Sequence, residues 1–234
     1  MSVSDERNAM GREALSQRRE SDGTAIASLL PALRAARALR IGLAWLAAAM
    51  AWVAGWNYLA CALFITGDVV GRSLLGVSSA ATVEVTGYML AIGIAWGLAH
   101  TLARRAHIRV DVWVNRLPLR LRAPLHLLAL LLLGAFAGFC AWASWSLVDE
   151  SLLFDAVDNS ALRIPLAIPQ GLWMVGIFAF CAMIAVLVLE GALDIALGRP
   201  EELDRLLGSR TLEDETAEAL EAVSMARAGE GGAA

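Results

Sequence analysis

The sequence predicts an all-α integral membrane protein with four transmembrane helices and both termini in the cytoplasm (N-in/C-in). Of its 234 residues, 58% are hydrophobic and 18% are charged, and the mean hydropathy is +0.61. Soluble domains are nearer to half apolar and a quarter charged. The apolar residues are concentrated in four long runs, and most arginines lie outside these runs in alternate connecting segments. These observations together predict the fold class.

The four apolar runs cover residues 41–66, 83–103, 124–148 and 170–193. Each run is long enough for the ~20 residues that a helix needs to cross ~30 Å of hydrocarbon. In lipid the backbone must satisfy its own hydrogen bonds, so a helix is the expected form of every run.

The arginine distribution predicts the orientation. Between the first and second runs the only arginine is Arg72, and between the third and fourth it is Arg163. The N-terminal segment and the middle loop hold many more: Arg7, Arg12, Arg18, Arg19, Arg34, Arg37, Arg40, and Arg104, Arg105, Arg109, Arg116, Arg120, Arg122. Since arginine-rich short segments stay in the cytoplasm, both termini are expected inside.

Residues 1–40 are predicted to form a cytoplasmic N-terminal segment. Its first part, 1–24, is polar and low in large apolar residues, so we expect disorder there, and it shows no signal peptide. Residues 25–40 place arginines three apart. Two interpretations stay open for them: a basic helix lying on an anionic membrane surface, or a solvated approach to the first span.

The four-span membrane domain is assigned to residues 41–198, and residues 199–234 to an acidic cytoplasmic tail. The tail is rich in Ala and Glu. It is expected to hold a helix near 201–207 or 212–226 at most, because it is too polar to pack alone.

Small residues four apart occur in two spans. Gly93 and Gly97 form one GxxxG pattern, and Gly134 and Gly138 form another. Such spacing lets two helix backbones approach closely in lipid. The pattern predicts that these spans pack against protein on at least one side.

Glu84 is the acidic residue at the outer end of the second run. A carboxylate in a membrane is a functional candidate by default, so an ion-coupling role or a contact with a partner's cation stays open. The structural alternative is an ion pair with Arg72 or a cap for the second span. Asp68 and Arg72 lie four residues apart, the spacing of a local helical ion pair.

The chain lacks the GxSxG, HExxH and P-loop patterns, and we expect neither an enzyme nor a cofactor. Cys61, Cys140 and Cys181 lie singly in apolar runs, unlike a disulfide framework or a zinc site. His100 and His126 lie at span ends rather than at mid-membrane, which argues against haem ligation. No metal site and no nucleic-acid partner are expected.

Residues 107–118, HIRVDVWVNRLP, separate the second and third runs. Their alternation suggests a strand, but an isolated strand at a membrane face would have no partner. We therefore predict a short interfacial helix on the cytoplasmic surface over about 107–122, in contact with membrane lipids and punctuated by Pro118.

This segment resembles the signature of the small membrane subunit of tripartite ATP-independent periplasmic (TRAP) transporters, the DctQ-like family. The resemblance covers about 41–198. Its matching positions are His107, Ile108, Val110, Asp111, Leu117 and Pro118 in the middle loop, Arg72 after the first span, Glu84 and Gly93 in the second, and Ser160, Ile164 and Pro165 before the fourth. Val83 departs from the family's frequent pair of adjacent acidic residues at this point.

The resemblance implies a scaffold subunit of the bacterial inner membrane that does not hold substrate itself. Its expected partners are a large DctM-like permease subunit and a DctP-like periplasmic substrate-binding protein, which together take up a small solute using an ion gradient. Our hypothesis for this chain is that the permease contacts or is braced by Arg72, Glu84, Gly93, Gly97, Gly134 and Gly138. The docking candidates on the periplasmic side are Asp149, Glu150, Asp155, Asp158, Ser160 and Pro165.

Two other classes of protein stay open. A stand-alone four-span exporter would use Glu84 for proton exchange, and it would also explain the small size. A haem or quinone membrane anchor is the third class. The exporter does not explain the HIRVD segment or the Ile-Pro entry to the fourth run, and an absorbance spectrum would identify the anchor.

Overall fold

A computed structural model describes residues 3–76, 79, 81–106, 117–159 and 162–208, together with short pieces beyond residue 215, and it describes side chains from residue 29 onward. Five helices make up the described fold. They are α1 (Val3–Leu75), α2 (Thr82–Ala103), α3 (Leu119–Leu153), α4 (Ala167–Ala196) and α5 (Pro200–Leu207).

Four of the described helices are long and apolar enough to cross a membrane: Leu29–Leu75, Thr82–Ala103, Leu121–Leu153 and Ala167–Ala196. The predicted set of four transmembrane helices is thereby confirmed. The first of these stretches has 47 residues. At 1.5 Å per residue it is about 70 Å long, so it extends well beyond the ~30 Å of hydrocarbon.

The N-terminal part of α1 differs from the prediction. The helix already begins at Val3, where we expected disorder, and it passes through Pro31 into the first span without a break. Residues 25–40 are therefore continuous with the span and do not form a separate surface helix. The physical reason is that Ala, Leu and Arg dominate residues 25–40, and all three favour a helix.

Helix α4 lies at the centre of the bundle and packs against each of the other four helices. Its buried side chains include Phe180, Met183, Ile184 and Leu187, which form the main core with residues of α1, α2, α3 and α5. Because other helices surround α4 on several sides, it does not need a polar face toward water. This explains why its run is the most apolar of the four.

Close contacts fix α2 against its neighbours. A Cβ atom added to Gly176 would lie 2.7 Å from the backbone carbonyl carbon of Ala95, so α2 and α4 touch backbone to backbone there. The Asn57 side-chain amide of α1 donates to the Met89 carbonyl at 2.6 Å. The Trp96 indole of α2 donates to the Leu172 carbonyl of α4 at 2.8 Å.

A tight turn folds α5 back onto the bundle. Gly198 has a φ of +67°, and the Gly198 and Arg199 amides donate to the carbonyls of Ile195 and Asp194. This pair of bonds is the Schellman arrangement that ends many helices at a glycine. Leu203 of α5 is thereby completely buried.

The helix predicted near 201–207 thus forms, but it packs with the membrane domain, and residues 200–207 do not behave as part of a separate tail. Its apolar positions Leu203 and Leu207 are both buried. The alternative helix near 212–226 is described only in short pieces.

The bundle has two distinct ends. The arginine-rich end contains Arg37, Arg40 and Arg122 together with Glu190, Asp194 and the whole of α5. The opposite end contains Asp68, Arg72, Glu84 and Tyr88 together with residues 154–159 and 162–166, the described part of the loop between α3 and α4, here called the α3–α4 loop. Ion pairs join α1 to the C-terminal part of α4 at the arginine-rich end, so the two terminal regions of the bundle meet there.

Candidate functional site

An ion-pair network at the arginine-rich end joins α1 to α4. Arg40 donates from Nε to Oε2 of Glu190 at 2.7 Å. Nε of Arg37 lies 3.3 Å from the other oxygen of Glu190, and its Nη2 lies 3.5 Å from Oδ1 of Asp194. Glu202 of α5 joins the network, 3.7 Å from Arg37.

Helical spacing produces this network. Glu190 and Asp194 are one turn apart on the buried face of α4, and their side chains are 3% and 1% exposed. Arg37 and Arg40 are three residues apart on α1 and share a face. Buried carboxylates are costly unless they are paired, so each acid requires one of these arginines. The network therefore fixes the rotation of α1 against α4.

Both open interpretations of residues 25–40 miss this inward pairing. Arg37 and Arg40 turn toward α4, and neither a lipid surface nor bulk water is their main partner. Glu190 and Asp194 were not among the residues predicted from the sequence. A usable signal was present: two acids four apart at the end of the most apolar run, in a chain with closely spaced arginines before the first run.

A second set of charges holds α5 against α3. The Arg122 guanidinium makes two hydrogen bonds with Asp204, and the bond from Nε measures 2.7 Å. His126 is buried, and its Nε2 lies 3.6 Å from Oδ1 of Asp204. Because Leu203 beside Asp204 fills the space next to Gly191, α5 is fixed by both apolar and charged contacts.

At the opposite end, Arg72 pairs within its own helix. Its Nη2 lies 2.9 Å from Oδ2 of Asp68, and the Ser79 amide donates to Oδ1 of Asp68 at 2.7 Å. The predicted local pair of Asp68 and Arg72 is confirmed. The ion pair of Arg72 with Glu84, considered as the structural alternative, is not formed, because an acid one turn away is the nearer partner.

Glu84 lies in the first turn of α2 with both carboxylate oxygens buried, and neither has a hydrogen-bond partner among the described residues. One turn along α2, the Tyr88 hydroxyl donates to Oδ2 of Asp158. This hydrogen bond is the main reason that the pKa of Asp158 lies below its usual range. Tyr88 thus ties the α3–α4 loop to α2.

The α3–α4 loop is closed by its own backbone. A bridge joins Val157 to Pro165, with hydrogen bonds from the Asp158 amide to the Ile164 carbonyl and from the Leu166 amide to the Ala156 carbonyl, both 3.0 Å.

Of the docking candidates, Asp149, Glu150, Asp155 and Pro165 are exposed, and Asp158 is partly buried. Ser160 lies outside the described residues. Asp149 and Glu150 belong to the last turns of α3, and Asp155 directly follows that helix. The exposed acids therefore cluster beside the closed loop.

The predicted GxxxG glycines divide into two kinds. A Cβ on Gly93 would lie 2.8 Å from the Tyr58 ring, and one on Gly134 would lie 3.0 Å from Ile184. These two glycines therefore serve contacts inside the chain. Around Gly97 and Gly138 an added Cβ would meet nothing within 4 Å, so both positions are open.

The predicted cytoplasmic segment is described only at its end. His107, Ile108, Val110 and Asp111 lie outside the described residues, and so does most of the interfacial helix predicted there. Pro118 is exposed at the N-cap of α3, and its carbonyl accepts the Leu121 and Arg122 amides. It punctuates the chain at the start of a transmembrane helix.

Most of the ion pairs described above join one helix to another. Over the described ranges, no group of three or more His, Cys, Asp and Glu side chains is placed to hold a metal ion. The geometry is suited to holding helices in a fixed arrangement.

Comparison with known proteins gave one family match. The family described as "Tripartite ATP-independent periplasmic transporters, DctQ component" matches residues 61–194, more than half of the chain. The matched range includes Arg72, Glu84, Asp158 and Glu190, whereas Arg37, Arg40 and α5 fall outside it. A comparison with curated proteins gave no match.

Proposed function

The chain belongs to the DctQ component family of tripartite ATP-independent periplasmic transporters, and on that premise we propose that it is the scaffold subunit of such a transporter in the bacterial inner membrane. It acts beside a large DctM-like permease subunit and a DctP-like periplasmic binding protein. Together they take up a small solute bearing a carboxylate, driven by an ion gradient. The family match carries this proposal, and the packing of the bundle supports it.

The surface of the bundle leaves room for a membrane partner. Trp45, Trp52 and Trp56 of α1 are 56–76% exposed, and Phe136, Phe139 and Trp142 of α3 are 61–66% exposed. Tryptophan usually lies at the membrane interface, yet Trp52 and Trp56 lie near the middle of the first apolar run. Large aromatic residues are also enriched where proteins meet.

The open glycines, Gly97 and Gly138, indicate where the proposed contact with the permease lies. Gly93 and Gly134 are occupied by contacts within the chain. Gly97 and Gly138 are therefore the positions at which a helix of the permease would approach closely. Arg72, whose side chain is 65% exposed, is proposed to brace the same partner nearer the membrane surface. Glu84, whose carboxylate oxygens are buried within the chain, is proposed to brace it indirectly, through the position of α2.

The proposed orientation places the arginine-rich end in the cytoplasm and the α3–α4 loop in the periplasm. The arginine counts of the connecting segments support it. Asp149, Glu150 and Asp155 would then form an exposed acidic surface for the binding protein. Attachment of a membrane-impermeant thiol reagent to a cysteine introduced at Asp155, in whole cells of a variant without native cysteines, tests this orientation.

Copurification tests the assembly. The tagged chain is extracted from native membranes in mild detergent, and the proteins that accompany it are identified by mass spectrometry. We expect a large multi-span permease in about equal amount. Recovery of the chain alone, in a form that transports in liposomes, would contradict the scaffold role.

Substitutions at the open glycines test where the permease contacts this chain. Gly138→Leu should reduce recovery of the permease at least several-fold while leaving the melting temperature of the isolated chain unchanged. Gly42→Leu on α1 is a matched control, because nothing lies within 4 Å of a Cβ added there either.

The Glu84→Gln variant distinguishes a bracing role of Glu84 from a role in ion coupling. Glu84→Gln preserves the shape of the side chain and removes its charge. If Glu84 only braces the complex, the variant should retain transport. Loss of transport with normal assembly of the complex would assign ion coupling to Glu84.

A further inference from the structure

A cleft of about 400 Å³ opens at the arginine-rich end between α1, α2, α4 and α5. Its polar lining carries both signs of charge, from four basic and three acidic residues: Arg37, Arg40, Arg105, Arg205, Glu190, Asp194 and Glu202. A site for a simple anion or a simple cation would carry mainly one sign. This lining suits a ligand that is itself zwitterionic.

Asp194 is the incompletely satisfied group in this cleft. Its side chain is 1% exposed, and its Oδ1 lies 3.5 Å from Arg37. Its Oδ2 is buried and has no hydrogen-bond partner among the described residues. A buried carboxylate oxygen without a donor is costly. A positively charged N–H donor would satisfy this oxygen.

The rest of the lining is apolar. Ala44, Leu102, Leu187 and Leu207 line the same cleft. Arg40 directly precedes the first apolar run, so the cleft lies where lipid head groups meet hydrocarbon. A ligand that fits both parts has a charged head and an apolar body.

We infer that this cleft binds a phospholipid whose head group carries a phosphate beside a primary ammonium, as in phosphatidylethanolamine. The ammonium would donate to Asp194 and Glu202. Arg105 and Arg205 line the same cleft, and Nη1 of Arg105 donates to the Arg205 carbonyl at 2.8 Å. Their guanidinium groups would hold the phosphate, which such groups bind in bidentate fashion. Phosphatidylcholine offers a cation without N–H donors, and phosphatidylglycerol offers a phosphate without the ammonium.

Native mass spectrometry of the purified full-length protein, with any partners that accompany it, tests this inference. After delipidation the protein is offered each of the three lipids with identical acyl chains. We expect phosphatidylethanolamine to bind about tenfold more tightly than the other two, because only its ammonium can donate charge-assisted hydrogen bonds to the buried carboxylate. Equal binding of all three would overturn the inference. So would equally tight binding of soluble glycerophosphoethanolamine, which has the same head but no acyl chains.

Substitutions then test whether Asp194 and Glu202 accept hydrogen bonds from the ammonium. Asp194→Asn should reduce the preference for phosphatidylethanolamine over phosphatidylcholine from about tenfold to about two- to threefold, the part that Glu202 still supplies. Asp149→Asn, which makes the same change of charge at the opposite end, should preserve it. Glu202→Gln, at a half-exposed position, provides a second variant if Asp194→Asn does not fold, and it should reduce the preference two- to threefold. An unchanged preference in both Asp194→Asn and Glu202→Gln would contradict the inference.

Discussion

Arg40 donates a hydrogen bond to Glu190 across 2.7 Å, although 150 residues separate the two in the chain. The pair joins the beginning of the first apolar run to the end of the last one. It closes the bundle at its arginine-rich end, and we expect it to stabilise the bundle.

We expect Glu190→Ala to lower the free energy of unfolding by roughly 2 kcal/mol, between the values for exposed and buried ion pairs, because Arg40 is about one-third exposed while Glu190 is buried. Thermal unfolding of the purified chain in detergent measures the change. The charge-swapped double variant Arg40→Glu with Glu190→Arg should recover part of the loss. A double variant no more stable than Arg40→Glu alone would show that direct pairing is not the cause.

Gly176 tests the backbone contact of α2 with α4. A Cβ at this position would lie 2.7 Å from the Ala95 backbone, so Gly176→Ala should destabilise the bundle by about 1–3 kcal/mol through overpacking. Gly97→Ala is the matched control, since nothing surrounds that position, and it should leave the melting temperature unchanged. Equal melting temperatures for the two variants would refute the close approach of the helices.

Leu203 tests whether α5 is an integral part of the bundle. It is completely buried, so Leu203→Ala should cost about 2–5 kcal/mol, as for other buried leucines. Leu220, which is 70% exposed, provides the control, and Leu220→Ala should be neutral. Limited proteolysis after Arg199 or Arg205 should accelerate in the Leu203 variant alone. An unchanged cleavage rate would mean that α5 is not held by this side chain.

The link between Tyr88 and Asp158 predicts a pH dependence. Because the pKa of Asp158 is lowered in the folded protein, its hydrogen bond with Tyr88 stabilises the loop fully above the unfolded pKa of about 3.9. This contribution is lost as the pH falls through the lower folded value. Tyr88→Phe should therefore be less stable than the wild type at neutral pH.

The two proteins should approach each other in stability as the pH falls below about 4. Thermal melts of both proteins across this pH range test the prediction. A difference that stays constant at every pH would show that the Asp158 carboxylate is not involved.

The sequence by itself determined the four spans. A run of about 20 apolar residues has one stable form in lipid, so runs such as 170–193 could be identified without knowledge of their neighbours. Asp68 and Arg72 were equally predictable, because both partners belong to one turn of one helix. The family, too, follows from local motifs whose order along the chain is visible.

Only the tertiary structure decided which residues of different helices meet. Arg37 and Arg40 are compatible with lipid, water or protein until the rotation of α1 against α4 is known, and Glu190 becomes their partner only through that rotation. Gly93 and Gly97 belong to one pattern, yet the first packs against Tyr58 and the second is open. Helical periodicity defines the faces of each helix, but the packing of all the helices together selects which face turns inward.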